Sequence, residues 1–144
     1  MKTLYKDLVE QTHTFPQEEF RVQDGNLMFH EIDLVDLVQR HGSPLKISYL
    51  PRISEQIHKT KSWFAEALKK TDYQGKYSFA YCTKSAHFSF ILEECLKNQV
   101  DLETSSAFDI SIIQELKKQG KLPAKTNIIC NGFKPDAYIQ GIAE

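Results

Sequence analysis

The residue of this sequence with the most chemistry to offer is Lys84, which follows the apolar and aromatic run Tyr77-Ser78-Phe79-Ala80-Tyr81-Cys82 after a single threonine. If that run is a strand buried on both faces, the lysine leaves it through low-dielectric surroundings that lower its pKa toward a nucleophilic free amine. By position alone a solvated lysine at a helix start is the commoner outcome, because lysines are rarely buried. His87 lies three residues further on and is expected at the same mouth. Two more polar sets also follow apolar runs: Glu103-Thr104-Ser105-Ser106 and Asn131-Gly132-Phe133-Lys134. Glu103 is either a carboxylate set beside Lys84 or a negative charge favoured by the dipole of the next helix. The five histidines show no HxH or HxxxH spacing and the three cysteines no CxxC pair, so no metal site is expected. There is no GxGxxG, phosphate-loop or GxSxG motif, which removes the commonest nucleotide-binding and hydrolase fingerprints.

The elements that must position these groups are legible as changes of period. Residues 1–19 read as a short amphipathic helix and a loop. Residues 20–30 alternate around Asp24-Gly25, a pair suited to the positive φ angles of a tight hairpin. Ile32, Leu34, Val35, Leu37 and Val38 mark a short helix stopped at Gly42, with Pro44 just beyond. Residues 45–50 alternate like a half-buried strand, and from Pro51 to about Lys70 a helical stripe runs through Ile53, Ile57, Phe64 and Leu68. Beyond the lysine strand, Ser85 is a candidate cap for a helix with its stripe on Phe88, Ile91, Leu92, Cys95 and Leu96. A strand over 100–104, a helix over 108–119 stopped at Gly120, a strand over 127–130 and a helix opened by Pro135 complete the chain. Residues 76–144 therefore alternate strand and helix at the spacing of βαβ units, which build parallel sheets with right-handed crossovers. Ligands of such sheets sit at the C-terminal ends of the strands, where the three polar sets fall.

Composition limits the classes of function. The 144 residues carry 18 Lys+Arg against 19 Asp+Glu, for a formal charge of −1, and 41% are hydrophobic. That is a folded composition, and it lacks the basic footprint of a nucleic-acid binder. No apolar run reaches the roughly 18 residues of a membrane span, and the N-terminus lacks the apolar segment of a signal peptide, so a cytoplasmic protein without membrane or nucleic-acid partners is expected. A closed (β/α)8 barrel takes roughly 250 residues, more than are present, so the sequence reads as the N-terminal portion of a longer protein.

Four stretches, HGSPLKISYLPRI, YSFAYCTKSAH, DLETSSAFDI and NIICNGFKPDAYI, resemble in order and spacing the N-terminal half of the fold type III (alanine-racemase-like) pyridoxal-phosphate decarboxylases. That family includes the arginine, diaminopimelate and ornithine decarboxylases. The resemblance spans residues 20–144. Tyr81-x-x-Lys84 matches the strand-end cofactor lysine, and Ile129-Cys130-Asn131-Gly132-Phe133-Lys134 looks most like the arginine branch. FRVQDGNLMFHEIDLVDLVQRHGSPL is similar instead to the opening of diaminopimelate decarboxylases. Relatives usually carry a small residue and Asn where Ser85-Ala86 stands here, and a smaller pair at Thr104-Ser105.

The resemblance implies an α/β fold, a partial TIM barrel over residues 51–144, preceded by an extension and β-domain strand or hairpin over 1–50. It implies that Lys84 holds pyridoxal 5′-phosphate covalently, with Tyr81, Cys82, Glu103, Ser106 and Asn131 lining the cofactor, Asp109 at the acidic position of the next helix and Lys134 after the third strand. A magnesium ion is the one further cofactor considered. The implied activity is decarboxylation of arginine to agmatine in polyamine synthesis by a homodimer. Diaminopimelate or ornithine decarboxylase is the alternative, as is a racemase, a cofactor carrier or a non-catalytic regulator of the same fold. The 144-residue piece alone is expected to be inactive, since an open set of strands leaves a parallel edge unpaired.

Overall fold

The structure, a computed structural model, describes residues 19–144, and the short helix and loop expected within residues 1–19 lie outside them but for Glu19. Two compact units divide between Ser48 and Tyr49.

Among the described residues, the first unit is a small antiparallel sheet with one helix. Strands β1 (Phe20–Gln23) and β2 (Asn26–Phe29) pair from Phe20↔Phe29 to Gln23↔Asn26. The register follows from the two-residue turn: Asp24 and Gly25 adopt φ of 51° and 85°, the left-handed pair whose twist matches a hairpin. The rings of Phe20 and Phe29 meet at 4.9 Å. Ile32 is not the first helical residue. It lies with Asp33 in a short strand β3 (Ile32–Asp33), opposite Phe29, because the Asp33 carboxylate accepts from the N–H groups of Val35 and Asp36 and so starts helix α1 (Leu34–His41) one residue later. Gly42, at φ 85°, ends that helix by donating to the Val38 carbonyl at 2.8 Å.

The expected strand over 45–50 does not form. Residues 45–49 lie in no strand and Leu50 already begins a helix. Alternation only makes a segment fit to be half-buried, and a strand exists when a neighbour pairs its backbone groups.

The second unit opens with α2 (Leu50–Lys70), with Pro51 in its first turn. It continues as β4 (Ala80–Cys82), α3 (Ser89–Lys97), β5 (Asp101–Thr104), α4 (Ala107–Lys118), β6 (Ile128–Cys130) and α5 (Asp136–Ala143). The three strands form one parallel sheet in the order β4-β5-β6. Tyr81, Leu102 and Ile128 stand in register on one face, and they pack with Leu92 and Leu96 of α3 and Ile113 and Leu116 of α4. Both crossover helices thus cover the same face, as right-handed crossovers between successive neighbours require. A second cluster joins Ile57 of α2 to Ile91, Cys95 and Val100. Burial pushes the Cys95 thiol up to about 11, which leaves it inert at neutral pH.

The opposite face carries Cys82, Glu103 and Ile129, and Ile129 is exposed. The strand after Tyr77 is consequently half-buried rather than buried on both faces. It is also shorter than its apolar run, since pairing with β5 begins only at Ala80. Buried carboxylates stand at both ends of the sheet. At the N-terminal end, Asp101 accepts from the Ser78 hydroxyl and from the Asn127 N–H at 2.8 Å, tying β5 to the approaches of its two neighbours. The Ser78 bond leads the interactions that hold its carboxyl below the usual aspartate range. At the C-terminal end Asp109 holds the loop between β5 and α4.

Candidate active site at the strand ends

Three polar side chains reach the C-terminal end of the sheet from neighbouring strands. Lys84 lies in the turn that follows β4, Glu103 near the end of β5, and Asn131 directly after β6. Parallel pairing brings their backbones together. Cys82 is level with Glu103 and Glu103 with Ile129, while the Thr83 N–H donates to the Glu103 carbonyl at 2.9 Å and the Asn131 N–H to the Thr104 carbonyl at 2.8 Å. The Asn131 side-chain amide donates to the Glu103 carboxylate at 3.0 Å, and its oxygen accepts from the Gly132 N–H at 2.7 Å. Glu103 is therefore a strand-end carboxylate oriented by an amide. Its backbone is level with Cys82 of the lysine strand.

Lys84 is exposed, where the sequence suggested a dry lysine. The reason is geometric: the turn carries it past the last paired residue of β4, and the open face of a three-stranded sheet offers no wall there. Tyr81 is not at the mouth either. Its ring packs into both hydrophobic clusters, and its hydroxyl donates to the Ala86 carbonyl at 3.0 Å, closing the turn that carries Lys84. Burial is the leading cause that raises its pKa. Cys82 does lie on the open face, half-buried, in register with Glu103.

Ser85 does not cap the next helix. That helix starts at Ser89, after Phe88, because the turn is occupied by Ser85 N–H donating to the Cys82 carbonyl at 3.1 Å. His87 turns away from the lysine, its ring meeting Phe108 edge-on at 5.5 Å. It lines a cleft of about 250 Å³ between α3 and α4, floored by Leu92, Ile112 and Leu116, which includes none of Lys84, Glu103 or Asn131.

Ser106 is the N-cap of α4. It accepts from the Asp109 N–H at 3.3 Å and donates to the Asp109 carboxylate at 3.0 Å, a reciprocal box readable in the Ser-x-x-Asp spacing. Asp109 is only 5% exposed. Burial pushes its carboxyl up, but hydrogen bonds from the Ser105 N–H and from the Ser106, Thr83 and Ser105 hydroxyls together outweigh it, so its pKa falls below the ordinary 3.8. A folded-state pKa below the unfolded one means that the stabilisation is complete above about 3.8 and is lost as pH falls through the folded value. Asp109→Asn should therefore weaken the loss of stability on acidification below about pH 3.8. An unchanged acid dependence of urea midpoints would contradict this.

Tyr138 had no signal in the sequence beyond its place on a helix. It is fully buried, its hydroxyl donating to the Thr104 carbonyl at 3.0 Å and meeting the Thr104 hydroxyl at 2.9 Å. It anchors α5 beneath the mouth. Gly132, at φ 78°, passes close to the Ser105 carbonyl, where an added Cβ would stand 3.4 Å from the oxygen.

Among the described residues, no group of three or more His, Cys, Asp or Glu is placed to hold a metal ion, and no helix is long and apolar enough to cross a membrane. A primary amine at one strand end, with a carboxylate and an amide at the next two, is a donor set that suits a carbonyl-bearing cofactor.

Fold and site together define a βαβ segment of the kind that binds ligands at its strand ends. The relatives it matches are biosynthetic arginine decarboxylases. That of Gloeobacter violaceus is 32% identical over 120 residues, covering 76% of this chain, and one from Synechocystis sp. is 27% identical over 123 residues. The crystal structure of the biosynthetic arginine decarboxylase from Campylobacter jejuni shares the fold, with a TM-score of 0.58 over 82% of this chain at 20% identity. The chain spans 18% of the length of the sequence relatives and 21% of the solved chain. No family model matches. The likeness to arginine decarboxylases read from the strand-end motifs thus holds over a portion of their length.

Proposed function

We propose that this chain is a segment, N-terminal in the whole protein, of a pyridoxal-phosphate-dependent amino-acid decarboxylase that converts arginine to agmatine and carbon dioxide. Residues 51–144 are the first part of its (β/α) barrel, and residues 1–50 an extension that includes a strand or hairpin of its β-domain. The observation that carries this reading is the convergence of Lys84, Glu103 and Asn131 on one end of a parallel sheet whose helices cover only the other face. A barrel is built that way: helices outside, strand ends at the mouth.

Lys84 is the residue that holds the cofactor, with Cys82, Glu103, Ser106 and Asn131 around it and Tyr81 bracing its turn. When bound, that cofactor supplies an aldehyde that condenses with an amine, releasing water, and a ring that takes up the electron pair left when carbon dioxide departs. Glu103, oriented by Asn131, sets a carboxylate at the end of the strand next to the lysine strand, where it can meet the cationic group of a basic substrate. Ser106 and Asp109 keep the neighbouring loop fixed, so these groups need no rearrangement on binding. Shielding of the exposed Lys84 amine falls to the remaining barrel and to a second subunit of a cytoplasmic homodimer.

The test is carbon dioxide release by the full-length protein from labelled arginine, ornithine, lysine and diaminopimelate, side by side. Arginine should lead by about a hundredfold in kcat/KM, as expected where buried polar groups of a site are left unpaired by the wrong substrate. A preference for diaminopimelate or ornithine would reassign the substrate, and release from none would overturn the decarboxylase.

A further inference from the structure

Five glutamates of the second unit, Glu55, Glu66, Glu93, Glu94 and Glu115, each pair with a lysine or arginine within 4.0 Å. Glu103, half-buried at the strand ends, has no such partner among the described residues and meets the neutral Asn131 amide instead, at 3.0 Å. Asn131 is itself held: its backbone N–H donates to the Thr104 carbonyl at 2.8 Å, and its side-chain oxygen accepts from the Gly132 N–H at 2.7 Å. With that oxygen engaged, the amide presents its N–H groups to Glu103. Lys134, the basic residue of the same loop, donates to the Gly132 carbonyl at 3.0 Å and lies 5.9 Å from the centre of the Tyr138 ring. It leaves the charge of the carboxylate uncancelled.

A carboxylate has about four lone-pair sites on its two oxygens. Asn131 takes one of them and neutralises nothing, so each oxygen can still accept a hydrogen bond. The two parallel N–H bonds of a guanidinium need that arrangement, and an ammonium cannot form such a fork. We propose that Asn131 is a positioning residue for specificity: it fixes the Glu103 carboxylate while leaving its charge intact, and so selects a substrate that ends in a guanidinium over one that ends in an ammonium. This rests on the proposed arginine decarboxylase activity of the full-length protein.

The experiment compares arginine with ornithine as substrates of the full-length protein supplied with pyridoxal phosphate. Asn131→Ala should raise KM for arginine about tenfold, since a hydrogen bond to a charged group is worth a factor of that order or more. Its kcat should be unchanged, and ornithine should be affected by no more than about twofold. Inhibition by agmatine, which keeps the guanidinium and lacks the carboxyl group, should weaken by the same factor as arginine. Asn131→Lys, which sets a cation against Glu103 and cancels its charge, should reproduce the loss. Glu103→Gln keeps the shape without the charge and should lose at least as much, and adding Asn131→Ala to it should cost nothing more, because Asn131 acts through Glu103. An unchanged KM for arginine in Asn131→Ala, equal losses for arginine and ornithine, or a further loss in the double variant overturns the positioning role. If Asn131→Ala does not fold, an unchanged preference for arginine in Asn131→Lys overturns it equally. A wild-type protein that releases carbon dioxide from ornithine as readily as from arginine overturns the arginine reading itself, an outcome seen before any variant is made.

Discussion

Lys84→Ala in the full-length protein should abolish the visible absorbance of the bound cofactor and lower carbon dioxide release from arginine by about a thousandfold or more, since removing a covalent catalyst removes its whole reaction route. The absorbance is the sharper readout, because it separates a lost attachment from a general loss of activity. Lysine is needed for a chemical reason: its unprotonated amine is a nucleophile, and its four-carbon stem lets that amine range over the mouth from a turn outside the sheet. Arginine in its place keeps the charge but cannot be deprotonated, so Lys84→Arg should fail in the same way. Retention of the cofactor band in Lys84→Ala would move the attachment to another lysine and leave the strand-end assembly of Glu103 and Asn131 without a role in it.

The second large effect concerns what holds those strand ends in register. Leu102, fully buried in the middle strand, packs among Leu92, Leu96, Ile113 and Leu116. Leu102→Ala should cost about 2–5 kcal/mol, as truncation of an enclosed leucine leaves a cavity that rigid neighbours cannot fill. Against the roughly 5–15 kcal/mol by which a domain is ordinarily stable, that is a large share. Urea unfolding should show it as a lowered midpoint, and a loss under about 1 kcal/mol would mean that the packing relaxes around the gap. Ile129, in register on the open face, is the counterpart. As it stands in this sheet, Ile129→Ala should change stability by no more than about 0.5 kcal/mol. A cost comparable with that of Leu102 in the full-length protein would show that further barrel strands cover this face.

Much of the architecture was legible because it depends on short-range chemistry. Asp24-Gly25 can supply two positive φ angles, and a hairpin formed around it. Ile91, Leu92, Cys95 and Leu96 recur at helical spacing, and all four are buried on α3. Gly42 and Gly120 were read as helix stops, and both adopt positive φ just beyond a helix. The strand-end motifs were equally legible, since a lysine, a glutamate and an asparagine after three apolar runs must share one end of a sheet once the strands are parallel.

Misreadings came where a segment's fate depended on a distant partner. The alternation of residues 45–50 was compatible with a strand, but residues 45–49 lie in none. Ser85 could have capped a helix, yet the turn after Thr83 claimed it first. His87 has the spacing to join Lys84, and the direction of the chain after that turn sends it to Phe108 instead. None of these outcomes is encoded in spacing, because each is a competition between local bonds and contacts from elsewhere in the chain.

Residue type and periodicity were enough to anticipate the alternation of strands and helices from β4 onward and the positions of the polar strand ends. Folding in three dimensions settled the rest: that Tyr81 lies in the core, that Lys84 is exposed, and that Thr83 and Tyr138 fasten the ends of the strands. The physical reason is that hydrogen-bond capacity and hydrophobic spacing belong to single residues and their near neighbours. Burial and the choice of partner belong to the packed whole, where every buried donor must find an acceptor among residues far away in the chain.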